Sequence, residues 1–197
     1  MNRLAFTETF VTLFVIMDPI GTAPIFVALT AGHSPRARRF AALQAAAIAG
    51  GLVLGFSLFG RLVLAYLNVS VQSLAIAGGL LLLLLALQMF RGEEVSRAAA
   101  SNVALVPLAT PLLAGPGAIA AIMVLSDRHS DLAGRIAVVA AVVAVATVVA
   151  AGFLLAGQIG RLLRPAVVIL LTQVLALLLA AISIQLIVDA VRSLIAA

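Results

Sequence analysis

The apolar run from Phe6 to Leu29 is interrupted by Asp18-Pro19-Ile20-Gly21-Thr22-Ala23-Pro24, which sets a carboxylate, a hydroxyl, two prolines and a glycine among hydrocarbon side chains. Proline has no N–H and its ring crowds the carbonyl four residues earlier, so Pro19 and Pro24 are expected to free the carbonyls of Val15 and Ile20. In a bilayer such carbonyls persist only against other protein or beside a wet cavity. A carboxylate at that depth costs about 2.5–3.5 kcal/mol on the insertion scale, which favours an inward-facing, functional position. The chemistry on offer is recognition of a charged small molecule. Asp18, the hydroxyls of Thr22 and Thr110, and the carbonyls of Met17 and Ile20 are acceptors suited to an ammonium group. A second stretch, Thr110-Pro111-Leu112-Leu113-Ala114-Gly115-Pro116-Gly117, repeats the pattern. A helix restarting at Gly115-Pro116-Gly117 would turn unpaired N–H groups and about half a positive charge toward a carboxylate, with glycines allowing close backbone approach. The candidate substrate-binding residues are therefore Asp18, Pro19, Gly21, Thr22, Pro24, Thr110, Gly115, Pro116 and Gly117. Asp18 has a structural alternative, because an aspartate directly before proline is a good N-cap for the helix that follows.

These residues need helices to hold them. The chain has 197 residues, of which 64% are hydrophobic and 10% charged, more apolar material than one soluble core of this length holds. Apolar runs suit six spans at roughly 6–29, 40–66, 71–90, 103–125, 136–158 and 168–190, each near the ~20 residues that cross a bilayer. The first span carries Glu8 and Asp18 and is longer than a signal peptide's apolar core, so it is expected to stay in the protein. Ser34-Pro35 resembles an N-cap and first helical residue for the second span, and Thr7 with Glu8 a cap for the first. The second span, rich in alanine and glycine, is expected to pack closely on its neighbours. Asn68-Val69-Ser70 is a chance glycosylation sequon in a short turn.

Several chemistries fall away. There is no cysteine, so disulfide exchange and thiolate metal sites are excluded. His33 and His129 sit in loops with no second ligand at metal spacing. Serine paired with histidine, paired carboxylates within one span, HExxH and CxxC are all absent, and no enzymatic activity is expected. All 12 basic residues are arginine and the net charge is +5. In a membrane protein these arginines mark loops rather than a nucleic-acid surface.

Five of the seven prolines lie in spans one and four. A shift of about a hundred positions also brings Gly60-Arg61-Leu62 onto Gly160-Arg161-Leu162, Gln72 onto Gln173, and Gln88-x-x-Arg91 onto Asp189-x-x-Arg192. The expected architecture is all-α: six transmembrane helices forming a 3+3 inverted repeat, residues 1–98 and 99–197, with spans one and four broken. Paired broken helices in inverted repeats point to a transporter whose site lies near the bilayer midplane. Seven arginines against five on the two faces favour both termini outside. Asp189 and Arg192 are spaced for an i,i+3 ion pair, and Gln72, Gln88, Gln173 and Gln185 for interhelical hydrogen bonds. Thr172 receives no role.

With DPIGTAPIF at 18–26, PLATPLLAGPGAI at 107–119 and QLIVDAVR at 185–192, the chain resembles the MarC (UPF0056-type) family of bacterial inner-membrane proteins nearly end to end. The resemblance implies six spans and kinship with transporters of neutral amino acids such as glycine and alanine. The family pattern often has asparagine after DPIG. Thr22 keeps a hydroxyl there but not the amide's paired donor and acceptor. The expected function is alternating-access transport of a small solute across the inner membrane, without a cofactor and with coupling to Na+ or H+ left open. The alternatives are a passive small-solute channel and an exporter of another metabolite. The partners expected are the lipid bilayer and a small-molecule substrate, with no nucleic acid. A homo-oligomer is left open.

Overall fold

The computed structural model describes residues 2–30, 32–91, 114–162 and 165–196, and within them the chain is helical with no strand. The helices are α1 (Arg3–Met17), α2 (Pro19–Leu29), α3 (Pro35–Leu67), α4 (Val71–Arg91), α5 (Pro116–Arg128), α6 (Leu132–Leu162) and α7 (Pro165–Ile195). Five segments among the described residues are long and apolar enough to cross a membrane: Arg3–Val27, Pro35–Leu67, Val71–Arg91, Leu132–Gln158 and Ala166–Ile195. α5 is the described portion of the expected fourth span. Pro107, Thr110 and Pro111 lie outside the described residues.

Most helix ends follow from local chemistry. Ser34 is the N-cap of α3, accepting from the Ala37 N–H at 3.3 Å, with Pro35 as first helical residue. Asn68 closes α3 in the left-handed conformation at φ 54°, which asparagine tolerates better than most residues. The first helix starts earlier than Thr7 and Glu8 suggest. Asn2 caps it by accepting from the Ala5 N–H, while the Thr7 hydroxyl donates back to the Arg3 carbonyl. The loop expected over 126–135 is shorter, because α5 runs to Arg128 and α6 begins at Leu132, where Asp131 accepts from the Gly134 N–H. Pro24 does not end α2. It lies inside the helix with its side exposed, a placement that membrane helices tolerate where neighbours re-satisfy the freed carbonyl.

Charges mark the depth of the bundle. Arg39 and Arg61 bracket the uncharged part of α3, a rise of roughly 33 Å at ~1.5 Å per residue, close to the ~30 Å hydrocarbon thickness. Outward faces are apolar: α4 exposes Leu80, Leu81, Leu84 and Leu87 and buries Gly78, Gly79, Leu82 and Ala86. Such a surface suits lipid. Small residues set the inner contacts. Gly50 of α3 meets Ala146 of α6, Gly78 of α4 meets Ala120 of α5, and a Cβ on Gly79 would stand 2.9 Å from the Ser183 carbonyl of α7. The expected packing role of α3 is met by Ala41, Ala42, Ala45, Ala46, Ala49 and Gly50, all buried. The principal pairings are α4 with α7 and α3 with α6, while α1 and α2 lie on α6 and α5 lies on α4 and α3.

Candidate functional site

Asp18 is the single residue between α1 and α2, and its backbone is left-handed at φ 35° and ψ 69°. A continuous helix fails here for identifiable reasons. Pro19 has no N–H for the Val15 carbonyl, and the Gly21 N–H, which would serve Met17, donates instead to Asp18 Oδ1 at 2.9 Å. The Thr22 N–H and hydroxyl both donate to the Asp18 carbonyl, at 3.0 and 2.7 Å. Asp18 thus caps α2, as one of the two sequence readings has it. The cap uses only one carboxylate oxygen. Asp18 is 3% exposed, and its Oδ2 is buried with no hydrogen-bond partner among the described residues.

Depth follows from helix rise. Asp18 stands about 15 Å along α1 from Glu8, and α2 extends about 16 Å beyond it at ~1.5 Å per residue, which sets the carboxylate near the middle of a ~30 Å hydrocarbon layer. Two other buried side-chain atoms lack partners among the described residues, Thr9 Oγ1 and Arg38 Nε. The first is a neutral hydroxyl, and the second belongs to a guanidinium whose Nη2 donates to the Thr30 carbonyl at 3.3 Å. A carboxylate oxygen is the costliest of the three to leave bare.

α6 and α7 wall the break. Pro19 lies against Gly152, whose added Cβ would be 3.5 Å from Pro19 Cβ, and Phe26 stacks on Phe153 with ring centroids 4.6 Å apart. From α7, Thr172 reaches the break: a methyl group built on Gly21 would overlap Asp18 Oδ2 and lie 3.2 Å from Thr172 Oγ1. Thr172 was not assignable from sequence. A threonine in an apolar helix commonly bonds its own backbone four residues back, as Thr22, Thr30 and Thr147 do here.

The other expected residues are distributed unevenly. Pro19 and Thr22 are buried beside Asp18, Gly21 is half-buried and Pro24 is exposed. Gly115 is the N-cap of α5 at φ −65° and ψ 171°, itself offering no side chain to cap the turn, and Pro116 is the first helical residue. Gly117 touches Leu82 of α4, where any Cβ would collide. A cavity of about 210 Å³ runs along Gly115, Pro116 and Gly117 past Leu82 and Gln88 and meets α1 at Ile16, two residues before Asp18. The two stretches therefore approach each other through Ile16, and Asp18 does not line that cavity.

A second polar cluster closes one end of the bundle. Arg128, at the end of α5, pairs with Glu8 of α1 at 3.4 Å and with Asp189 of α7 at 2.7 Å, and His129 Nε2 lies 2.9 Å from Glu8. Asp189 thus pairs across helices with Arg128 rather than along its own helix with Arg192. Gln185 bonds Asp189 one turn on in α7 rather than a neighbouring helix. Arg61 and Asp127 pair at 3.0 Å nearby. Beneath the cluster lies a cavity of about 210 Å³ lined by Glu8, Thr12, Arg128 and Gln185 among apolar side chains.

Residues 4–195 match the description "MarC family integral membrane protein". The chain is 35% identical to a UPF0056 membrane protein of Methanocaldococcus jannaschii, covering 98% of each. It is 30% identical to the UPF0056 membrane protein YhcE of Escherichia coli, over 93% of this chain and 90% of that one. The UPF0056 inner membrane protein YhgN of Escherichia coli is 33% identical over 65% of this chain and 67% of its own. No solved structure matches.

Proposed function

The chain belongs to the MarC family of integral membrane proteins, and from that premise we propose that it is a secondary transporter of small neutral amino acids such as alanine or glycine. It is a multi-pass protein of the lipid bilayer. The observation that carries the reading is the spare carboxylate oxygen of Asp18, buried at mid-depth without a partner among the described residues. A bare buried charge is a standing cost unless a ligand offsets it, and intramembrane carboxylates mark ion or substrate paths. The ammonium of a zwitterion binds at Asp18. The carboxylate goes to a helix start, for which the first turn of α5 at Gly115-Pro116-Gly117 is the candidate.

The helix pairings support an inverted repeat. α3 and α6 correspond in the two halves and pack on each other, as do α4 and α7, while α1–α2 and α5 each lie on helices of the opposite half. That is what an approximate two-fold axis between three-span halves produces. Asp18 interrupts span one, and the start of α5 is its counterpart in span four. The Glu8–Arg128–Asp189 cluster would then be the closed end in an alternating-access cycle. Both termini are assigned to the outer side, with the arginine turn 36–39 in the cytoplasm.

Proteoliposomes holding the purified chain test the reading. Uptake of labelled alanine or glycine is expected to saturate and to respond to an imposed Na+ or proton gradient. Absence of uptake of any neutral amino acid by folded protein would refute the substrate class. In a chain with no native cysteine, Ser130→Cys should react with impermeant maleimide from outside the cell and His33→Cys should not; the opposite pattern would invert the assigned topology.

A further inference from the structure

We propose that Asp18 Oδ2 and Thr172 Oγ1 together hold one small monovalent cation, Na+ or the ammonium end of an amino acid, beside the bare Cα of Gly21. The inference rests on the transporter reading and adds a residue and a ligand class to it. Three observations meet at one point. Asp18 Oδ1 is committed to the Gly21 N–H, which leaves Oδ2 as a buried oxygen with no partner among the described residues. Thr172 Oγ1 makes no hydrogen bond among the described residues, whereas the hydroxyls of Thr7, Thr22, Thr30 and Thr147 each donate to the carbonyl four residues back. Both free oxygens border the same methyl-sized position, since a Cβ on Gly21 would overlap Oδ2 and lie 3.2 Å from Thr172 Oγ1.

The charge of the place favours a cation. α1 ends here, so the negative end of its dipole adds to one carboxylate. The positive end of α2 is already used by Oδ1. A single carboxylate balances a single positive charge; a divalent ion would keep an excess charge in an apolar surround, which favours a monovalent ion or ammonium. Any side chain at 21 would displace Oδ2 and crowd Thr172 Oγ1. Because Asp18 comes from the first half of the chain and Thr172 from the second, the bound cation bridges elements that alternating access moves relative to one another.

The test is the melting temperature of the purified full-length chain in detergent, followed against NaCl in choline chloride and, separately, against alanine or glycine in choline chloride alone. A ligand bound only by the folded chain raises it. The arm that responds identifies the source of the cation. Thr172→Val, nearly isosteric, is expected to weaken that response at least tenfold in apparent affinity, Thr172→Ser to restore it, and Thr147→Val on the exposed face of α6 to leave it unchanged. Should Thr172→Val fail to fold, Gly21→Ala, whose methyl displaces Oδ2 while the Asp18 and Thr172 side chains both remain, is expected to give the same loss. No response of the wild type in either arm, or equal responses in wild type and Thr172→Val, overturns the site. Saturable amino acid uptake with unchanged KM in Thr172→Val overturns it while leaving the transporter reading standing. Cation-dependent melting without any uptake by the wild type does the reverse.

Discussion

Replacing Asp18 by asparagine and by alanine separates its two duties. Asparagine caps helices about as well as aspartate and adopts the left-handed backbone more readily than most residues. Asp18→Asn therefore keeps the bond from the Gly21 N–H and removes the unpartnered charge. Its unfolding free energy should equal or exceed that of the wild type. Alanine loses the cap, worth about 0.5–2 kcal/mol. It must also hold the φ of 35° now held by Asp18, at a further ~1–2 kcal/mol. Relative to Asp18→Asn, Asp18→Ala is therefore expected to lose roughly 1.5–4 kcal/mol. Reversible unfolding in mixed micelles reads both values, and uptake of labelled alanine by proteoliposomes reads function. Both variants should be inactive, and only the alanine variant unstable. Full transport by Asp18→Asn would show that the charge binds nothing, and equal destabilisation of the two would show that the carboxylate does not act as a cap.

Other consequences are open to the same assays. Gly21→Ala forces the Asp18 carboxylate off the Gly21 N–H and is expected to cost about 1–3 kcal/mol as an overpacked site. Gly79→Ala pushes a methyl toward the Ser183 carbonyl and Ile187 and should loosen the α4–α7 pair by a similar ~1–3 kcal/mol. Gly51→Ala, with nothing within 4 Å, should instead stabilise α3 by ~0.5–1 kcal/mol. Arg128→Gln removes two part-exposed ion pairs, so its stability cost should stay below ~1 kcal/mol. It should nevertheless speed maleimide labelling of a cysteine at Thr12, under the cluster, several-fold; unchanged labelling would show that the cluster does not close that end.

Local chemistry made parts of this structure legible in advance. Asp-Pro signalled both a break and a cap, and Ser34-Pro35 signalled the start of α3, because each acts over one helical turn. Pro24 misled: its ring disturbs one carbonyl, and neighbouring helices can supply what it removes. Asp189 was expected to pair with Arg192 because sequence shows spacing along a helix and not the helix beside it; its partner Arg128 is 61 residues away. Glu8 lies 120 residues from Arg128. Thr172 was hidden for the same reason. Nothing local distinguishes a hydroxyl facing a carboxylate on another helix from one bonded to its own backbone, and only the packing of α7 against the break at Asp18 makes the difference.

Counterflow tests the central claim most directly. Vesicles preloaded with unlabelled alanine, then diluted into a trace of labelled alanine, should accumulate label transiently above its equilibrium level, because a carrier returning inward is reloaded from the trace. The wild type is expected to overshoot and Asp18→Asn not to. Label that only equilibrates, at the same rate with or without internal alanine, would mean that the path past Asp18 is a pore and not an alternating-access site.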